Sequence, residues 1–333
     1  MKRALLVGVD EYATVSSLAG CVADATALSQ LLEVHDDGSP NWRTTLVTSE
    51  TGVGTVTREN LRRRLADLFV DARDNDLLFY FAGHGAPTPW GAELVTQDAT
   101  PNSYGVSMSD LVTLANDSPA RSVTILLDCC FSGDTGNTPG MQSTGVAESF
   151  RLNVATVREN VTIMAASRGT EPSKEAGGHG AFTRVLLDGL EGGATDHRGN
   201  VTALSLYSYI SPSFDAWEQR PVLKAHLTEP VVLRIGPPWL DPQLLRQLPD
   251  HFPSEDARLQ LTPAHEGAGR PFTQATPGTV EQQQFDYLGQ LRNANLVTTD
   301  SHRDHYWVAM ESGHVYLTAL GRYFWRLANR SLL

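Results

Sequence analysis

Cysteine is scarce in this chain, which holds only Cys21, Cys129 and Cys130. Three cysteines build no disulfide framework, and without a C-x-x-C pair there is no zinc ribbon, so the expected chemistry is that of free thiols in a reducing compartment. Long apolar runs are also missing. The run that follows Met1-Lys2-Arg3 stops at Asp10, short of a secretory hydrophobic region, and no stretch approaches the ~20 apolar residues of a membrane span. The expectation is a soluble, cytoplasmic protein with no membrane partner. Positive charge is in deficit, with 38 acidic against 26 basic residues and a net charge of −12. That balance argues against coating a nucleic acid and favours cationic partners. Gly52-Val53-Gly54 lacks the downstream glycine and lysine of a phosphate loop, so nucleotide binding is not expected.

What remains is ordinary globular material: 333 residues, 41% hydrophobic and 19% charged. The length suggests one large domain and something smaller. In the first half, short β-rich runs alternate with helical patterns, as in a mostly parallel sheet with helices on both faces. Arg3 to Asp10, Thr44 to Thr48, Asp76 to Ala82, Ser122 to Asp128 and Val161 to Ser167 read as strands, with a last strand at Pro230 to Ile235. Ala23, Ala27, Leu28, Leu31 and Leu32 recur at helical spacing, as do Leu61, Leu65, Leu68 and Phe69. Phe182 to Leu190 and Leu204 to Ile210 read as later helices.

Residues 1–236 therefore form one α/β domain. Prolines punctuate residues 237–278, which read as an irregular linker with one short helix near Leu244. Residues 279–333 read as a small α+β module resembling a winged helix: a helix through Phe285, Leu288 and Leu291, a hairpin of Tyr306 to Met310 with Val315 to Leu317 around Gly313, and a final helix capped by Thr318. Its five acidic and five basic residues after Val280 cancel. Trp307 and Trp325 are expected to fill its core. His302, His305 and His314 have no patterned acidic or thiol partner and read as exposed histidines rather than metal ligands.

Two strand ends carry the chemistry. Gly83-His84-Gly85 follows one central strand and Asp128-Cys129-Cys130-Phe131-Ser132-Gly133 ends the next, each expected to be a glycine-bearing turn at the carboxyl edge where parallel sheets gather reactive groups. One offers a base and the other a thiol. An adjacent imidazolium lowers a thiol's pKa and makes it a nucleophile, and the Gly85 and Cys130 N–H groups are placed to hold an oxyanion. Asp24 and Asp128 admit two readings. Together they could accept a guanidinium or an ammonium, or they could be an early-helix carboxylate and a turn cap.

Tyr80-Phe81-Ala82-Gly83-His84-Gly85 and Asp128-Cys129-Cys130-Phe131-Ser132-Gly133 resemble the two catalytic motifs of the caspase and metacaspase clan of cysteine peptidases. Gly20-Cys21-Val22-Ala23-Asp24-Ala25, Ala165-Ala166-Ser167 and His179-Gly180-Ala181-Phe182-Thr183 add to a similarity that extends over residues 3 to about 235. The resemblance implies a caspase-like fold with His84 as general acid/base, Cys130 rather than Cys129 as nucleophile, and Gly85 and Cys130 as oxyanion donors. It further implies that Asp24 and Asp128 select Arg or Lys, that Ser167 forms a pocket wall, and that no organic cofactor is needed. Phe131 stands where metacaspases commonly have histidine. No calcium-binding aspartates are identifiable, so calcium dependence does not carry over.

Related enzymes cut themselves in the segment after the nucleophile, here Asp134 to Arg158, so two readings stand side by side: self-processing at Arg151 or Arg158, or a surface loop that is not cleaved. The expected substrate is a protein or peptide with Arg or Lys at the cleavage site, in a stress or antiviral programme, with the carboxy-terminal module recruiting a regulatory partner. The rival readings are a catalytically silent adaptor and a DNA-binding regulator acting through that module.

Overall fold

The computed structural model describes residues 1–49, 55–101, 103–130, 156–166, 180–214, 221–265, 278–300 and 304–333. Two compact units divide the chain, Met1–Pro237 and Pro238–Leu333.

In the first unit, near-continuous apolar runs become strands buried on both faces, as parallel sheets require. These are β1 (Lys2–Gly8), β3 (Asp76–Thr88), β6 (Ser122–Cys130) and β7 (Val161–Ala165), parallel to one another and to the partly exposed edge strand β2 (Arg43–Thr48), with β9 (Val222–His226) antiparallel at the other edge. The sheet order is β2-β1-β3-β6-β7-β9. Alternation along the strands separates two cores. Leu5, Val7, Phe79, Phe81, Ile125 and Leu127 pack with α2 (Arg58–Phe69) and α3 (Met108–Asp117). Leu6, Leu78, Tyr80, Leu126 and Met164 pack with α1 (Cys21–Glu33), α4 (Ala181–Asp188) and α5 (Ala203–Ile210).

Several expectations change here. The backbone does not turn at Gly83-His84-Gly85: β3 continues to Thr88 and leaves β6 for an antiparallel hairpin with β4 (Gly91–Thr100), which pairs in turn with β5 (Ser103–Ser107). Gly83 is needed for close approach, not for a turn. The expected last strand, here β10 (Val232–Ile235), stands outside the main sheet and pairs with β8 (Asn200–Thr202).

The second unit corrects the linker. Residues 238–265 are part of it: Leu245, Leu248, Phe252 and Leu261 are buried in one core with Leu288, Leu291, Val315 and Phe324. Two prolines of this stretch stand in the first turns of helices, where proline's missing N–H costs nothing. Pro242 starts α6 (Pro242–Arg246) behind the Asp241 cap, and Pro249 lies in the first turn of α7 (Leu248–His251).

The expected hairpin is also revised. His305–Met310 is helix α9, capped by Asp304, and lies between β12 (Val297–Thr299) and β13 (His314–Leu317). β13 is the centre of a three-stranded antiparallel sheet with β12 and β11 (Arg258–Gln260). Helices α8 (Val280–Asn293) and α10 (Ala319–Asn329) flank this order, and Thr318 caps α10 through the Gly321 N–H at 3.0 Å. Trp307 is 50% exposed and so not a core residue, whereas Trp325 packs against the core and donates to the Phe252 carbonyl at 2.7 Å. His305 is buried, not exposed, and burial pushes its pKa down to about 4.

Candidate active site

Parallel pairing of β3 with β6 runs in strict register from Asp76↔Ser122 to His84↔Cys130. The two motif residues are thus Cα partners on adjacent strands, roughly 4.8 Å apart as hydrogen-bonded strands are, at the carboxyl end of β6 and at the point where β3 leaves it for β4. Cys129 occupies the alternate position. It is 1% exposed within the core formed with α2 and α3, a setting that keeps a thiol inert.

The β1–α1 connection builds the surroundings of His84. Asp10 anchors it: the Asp10 carboxylate accepts the Cys21 and Val22 N–H groups at 2.8 and 3.3 Å, and the Asp10 N–H donates to Ser49 Oγ at 2.8 Å. Asp10 therefore does for α1 what its N-cap cannot, since Gly20 has no side chain to cap with. From this connection the Tyr12 hydroxyl accepts the His84 N–H at 2.8 Å and donates to the Val9 carbonyl at 3.0 Å, and its ring lies 4.9 Å from the imidazole between centroids. Gly83 makes room, because a Cβ there would stand 2.7 Å from the Tyr12 hydroxyl.

The Ser16 carbonyl meets His84 Nε2 at 2.8 Å. A carbonyl only accepts, so the proton of the neutral ring sits on Nε2 and the Nδ1 lone pair is left to take another. Burial lowers the His84 pKa below its usual value, and the Ser16 bond opposes that shift.

The two carboxylates are buried, 2% exposed at Asp24 and 5% at Asp128. That excludes a solvated helix-end role for Asp24. Its Oδ2 accepts the Gly180 N–H at 3.1 Å. Asp128 Oδ2 accepts the Thr183 hydroxyl at 2.6 Å, and Tyr80 lies 2.6 Å from the same hydroxyl. Thr183 has one proton and spends it on the carboxylate, so Tyr80 donates to Thr183, giving a Tyr80–Thr183–Asp128 relay. Cys21 lies in the same negative field. Burial, followed by Asp10, Asp128 and Asp24, raises its thiol pKa well above the ordinary range, which keeps Cys21 protonated and unreactive.

Of the other expected residues, Gly85 is buried in β3 opposite Leu94 of β4. Ser167 and Arg151 lie outside the described residues. Arg158 donates to the carbonyls of Ala115, Ala120 and Glu159 at 3.2, 2.8 and 2.7 Å. Among the described residues no group of three or more His, Cys, Asp or Glu side chains could hold a metal ion, and no helix is long and apolar enough to cross a membrane.

Sequence reasoning missed Asp10, Ser16, Cys21 and the roles of Tyr12, Tyr80 and Thr183. All but Ser16 carried a signal as polar or thiol residues bordering the motif runs. Ser16 carried none, since it acts through its backbone.

A family model described as Caspase domain matches residues 1–232. Metacaspase-7 of Arabidopsis thaliana is 29% identical over 142 residues, which is 40% of this chain and 35% of that protein. Metacaspase-1 of Scheffersomyces stipitis is 30% identical over 167 residues, 45% of this chain and 41% of that protein. The chain thus spans less than half the length of these relatives. The solved structure of Caspase-1 from Spodoptera frugiperda aligns with 71% of this chain and 90% of its own at 14% identity, with a TM-score of 0.49.

Proposed function

The chain belongs to the caspase-domain family, and on that premise we propose that its first unit is a cysteine endopeptidase that cuts polypeptides after Arg or Lys. The observation that carries the proposal is the register pairing of His84 with Cys130 beside two buried carboxylates. In this reading the Cys130 sulfur attacks the carbonyl carbon while its proton passes to His84 Nδ1, the position that the Ser16 carbonyl leaves open. The N–H groups of Gly85 and Cys130 take the oxyanion, each donor contributing about 3 kcal/mol in sites of this kind. As the tetrahedral intermediate collapses, His84 returns the proton to the leaving amine, and water then releases the acyl group from sulfur by the same route.

Specificity follows from charge. Asp24 and Asp128 receive the guanidinium or ammonium of the residue before the scissile bond, with Ser167 as a further wall. The Tyr80–Thr183 relay holds the Asp128 carboxylate in position by donating into it. The reaction draws on the chain's own groups, with no metal or organic cofactor.

Self-cleavage is proposed at Arg151. At Arg158 the three carbonyl bonds to the guanidinium would have to be given up before that residue entered the site. The second unit is proposed to recruit a regulatory partner in a cytoplasmic stress or antiviral programme.

The test is a panel of fluorogenic peptides with Arg, Lys, Asp or Leu before the scissile bond, run on the wild type and on Cys130→Ala, Cys129→Ala and Asp24→Ala. Hydrolysis of the Arg and Lys peptides is expected from the wild type and Cys129→Ala, with none from Cys130→Ala. Activity surviving in Cys130→Ala would end the mechanism. Preference for Asp would overturn the pocket.

A further inference from the structure

We propose that the amino edge of the sheet, the end opposite His84, carries a binding site for a small diphosphate-type anion. Parallel pairing of β1 with β2 makes Arg3 and Arg43 register partners, so two cationic side chains leave adjacent strands on the same face. Like charges placed in this way destabilise a sheet unless something lies between them. Arg64 of α2 joins them around one cavity of about 290 Å³, whose lining includes a single acidic residue, Asp67. Three arginines against one aspartate form a local excess of positive charge in a chain whose net charge is −12.

The arginines are incompletely used. The terminal nitrogen of Arg3 donates to the Asp67 and Leu68 carbonyls at the end of α2, yet its Nε is buried with no hydrogen-bond partner. A buried unpaired donor on a charged group is destabilising, and an anion in the cavity would remove that cost. Arg43 and Arg64 are exposed and have no hydrogen-bond or ion-pair partner among the described residues. Guanidinium forks match phosphate oxygens in bidentate geometry. The cavity lies at the lower limit of the ~300–1,000 Å³ of pockets for drug-sized ligands, which suits a diphosphate group with any attached moiety left outside.

This site is separate from the proposed peptidase centre. Arg3 pairs with Leu77 at the start of β3, and His84 lies seven residues further along that strand, roughly 23 Å at about 3.3 Å per residue.

The test is calorimetric titration of the full chain with inorganic pyrophosphate and, in a second arm, with ADP, each against sodium chloride at matched ionic strength. Saturable binding of pyrophosphate is expected, with at least a tenfold loss of affinity in the double variant Arg43→Ala, Arg64→Ala. Both positions are exposed, and an unchanged circular dichroism spectrum verifies folding. The pair Arg43→Lys, Arg64→Lys keeps the charge but loses the fork, so its affinity is expected to fall between the two. If ADP binds more tightly than pyrophosphate, the anion is part of a nucleotide; if it binds equally or more weakly, the free diphosphate is the ligand. Absence of saturable binding up to about 10 mM, or equal affinity in wild type and the alanine pair, overturns the site. The readout is binding alone, so the result stands whether or not the chain hydrolyses peptides.

Discussion

His84 has its backbone bonded to the Tyr12 hydroxyl and its ring bonded to the Ser16 carbonyl, so one short connection sets both its position and its tautomer. Burial disfavours the imidazolium, and the pKa falls below the ordinary 6.5. In Cys130→Ala, where no neighbouring thiol titrates, the His84 ring protons followed by NMR should therefore titrate with a midpoint below pH 6.5. A midpoint at or above that value contradicts the burial argument. Tyr12→Phe keeps the ring beside the imidazole but removes both hydroxyl bonds, each worth about 0.5–1.5 kcal/mol. The expected result is a several-fold to tenfold fall in kcat with KM unchanged, and steady-state kinetics showing the loss in KM instead would assign Tyr12 to substrate binding. Thr183→Val cuts the relay into Asp128 while preserving shape. Its loss should appear as a raised KM for Arg peptides, by about tenfold for a charge-assisted bond of ~1.5 kcal/mol. An unchanged KM would remove Asp128 from the pocket.

Among the elements, β3 and β6 align the two motif residues, and their register is fixed at the far end by a polar clamp. Asp76, buried at the start of β3, accepts Arg121 Nε at 2.9 Å and the Ser122 hydroxyl at 2.7 Å, with the Arg121 terminal nitrogen closing the pair. Although burial opposes it, the bonds from Arg121 and Ser122 leave the Asp76 pKa below the usual carboxylate value. A carboxylate depressed in the folded state stabilises above its unfolded pKa of about 3.9, and that contribution is lost as pH falls through the lower folded value. Asp76→Asn should thus cost about 1–3 kcal/mol at neutral pH. In urea unfolding, the gap to wild type should narrow as the pH drops below about 4, and a constant gap would place the cost in packing.

These same strands were legible in the sequence, because apolar runs such as Leu77 to Ala82 and Val123 to Leu127 allow little but a buried strand. The β4–β5 hairpin was not, since Gly91 to Thr100 mixes polar and apolar residues and is held by the tail of β3 beyond His84. Tyr306 to Met310 misled because five apolar or aromatic residues fit strand and helix alike, and the Asp304 cap decided for helix. The motif residues were readable as side chains at strand ends. The bond from Ser16 spans 68 residues and comes from a backbone carbonyl, which no sequence pattern marks.

On the scale of the molecule, charge and packing divide in the same place. Pro238–Leu333 contains eight basic and ten acidic residues, which leaves −2 there and −10 in Met1–Pro237. The acidic field therefore belongs to the unit with the buried carboxylates, where it would draw cationic segments toward the site. The cores are equally separate. Two large clusters and a small one lie within residues 4–233, while the cluster built on Leu288, Leu291 and Phe324 lies within residues 240–333. Every described residue assigned to the peptidase centre, from Asp10 to Thr183, is in the first unit. A chain ending at Pro237 should accordingly fold and hydrolyse a short Arg peptide with kcat/KM within a few-fold of the full chain, because no core residue and no site residue is lost. Calorimetry of the full chain should resolve a transition that the shortened chain lacks, as expected when domains have independent cores. If the shortened chain unfolds or loses hydrolysis while remaining soluble, the second unit completes the first, and the division of labour between the two must be redrawn.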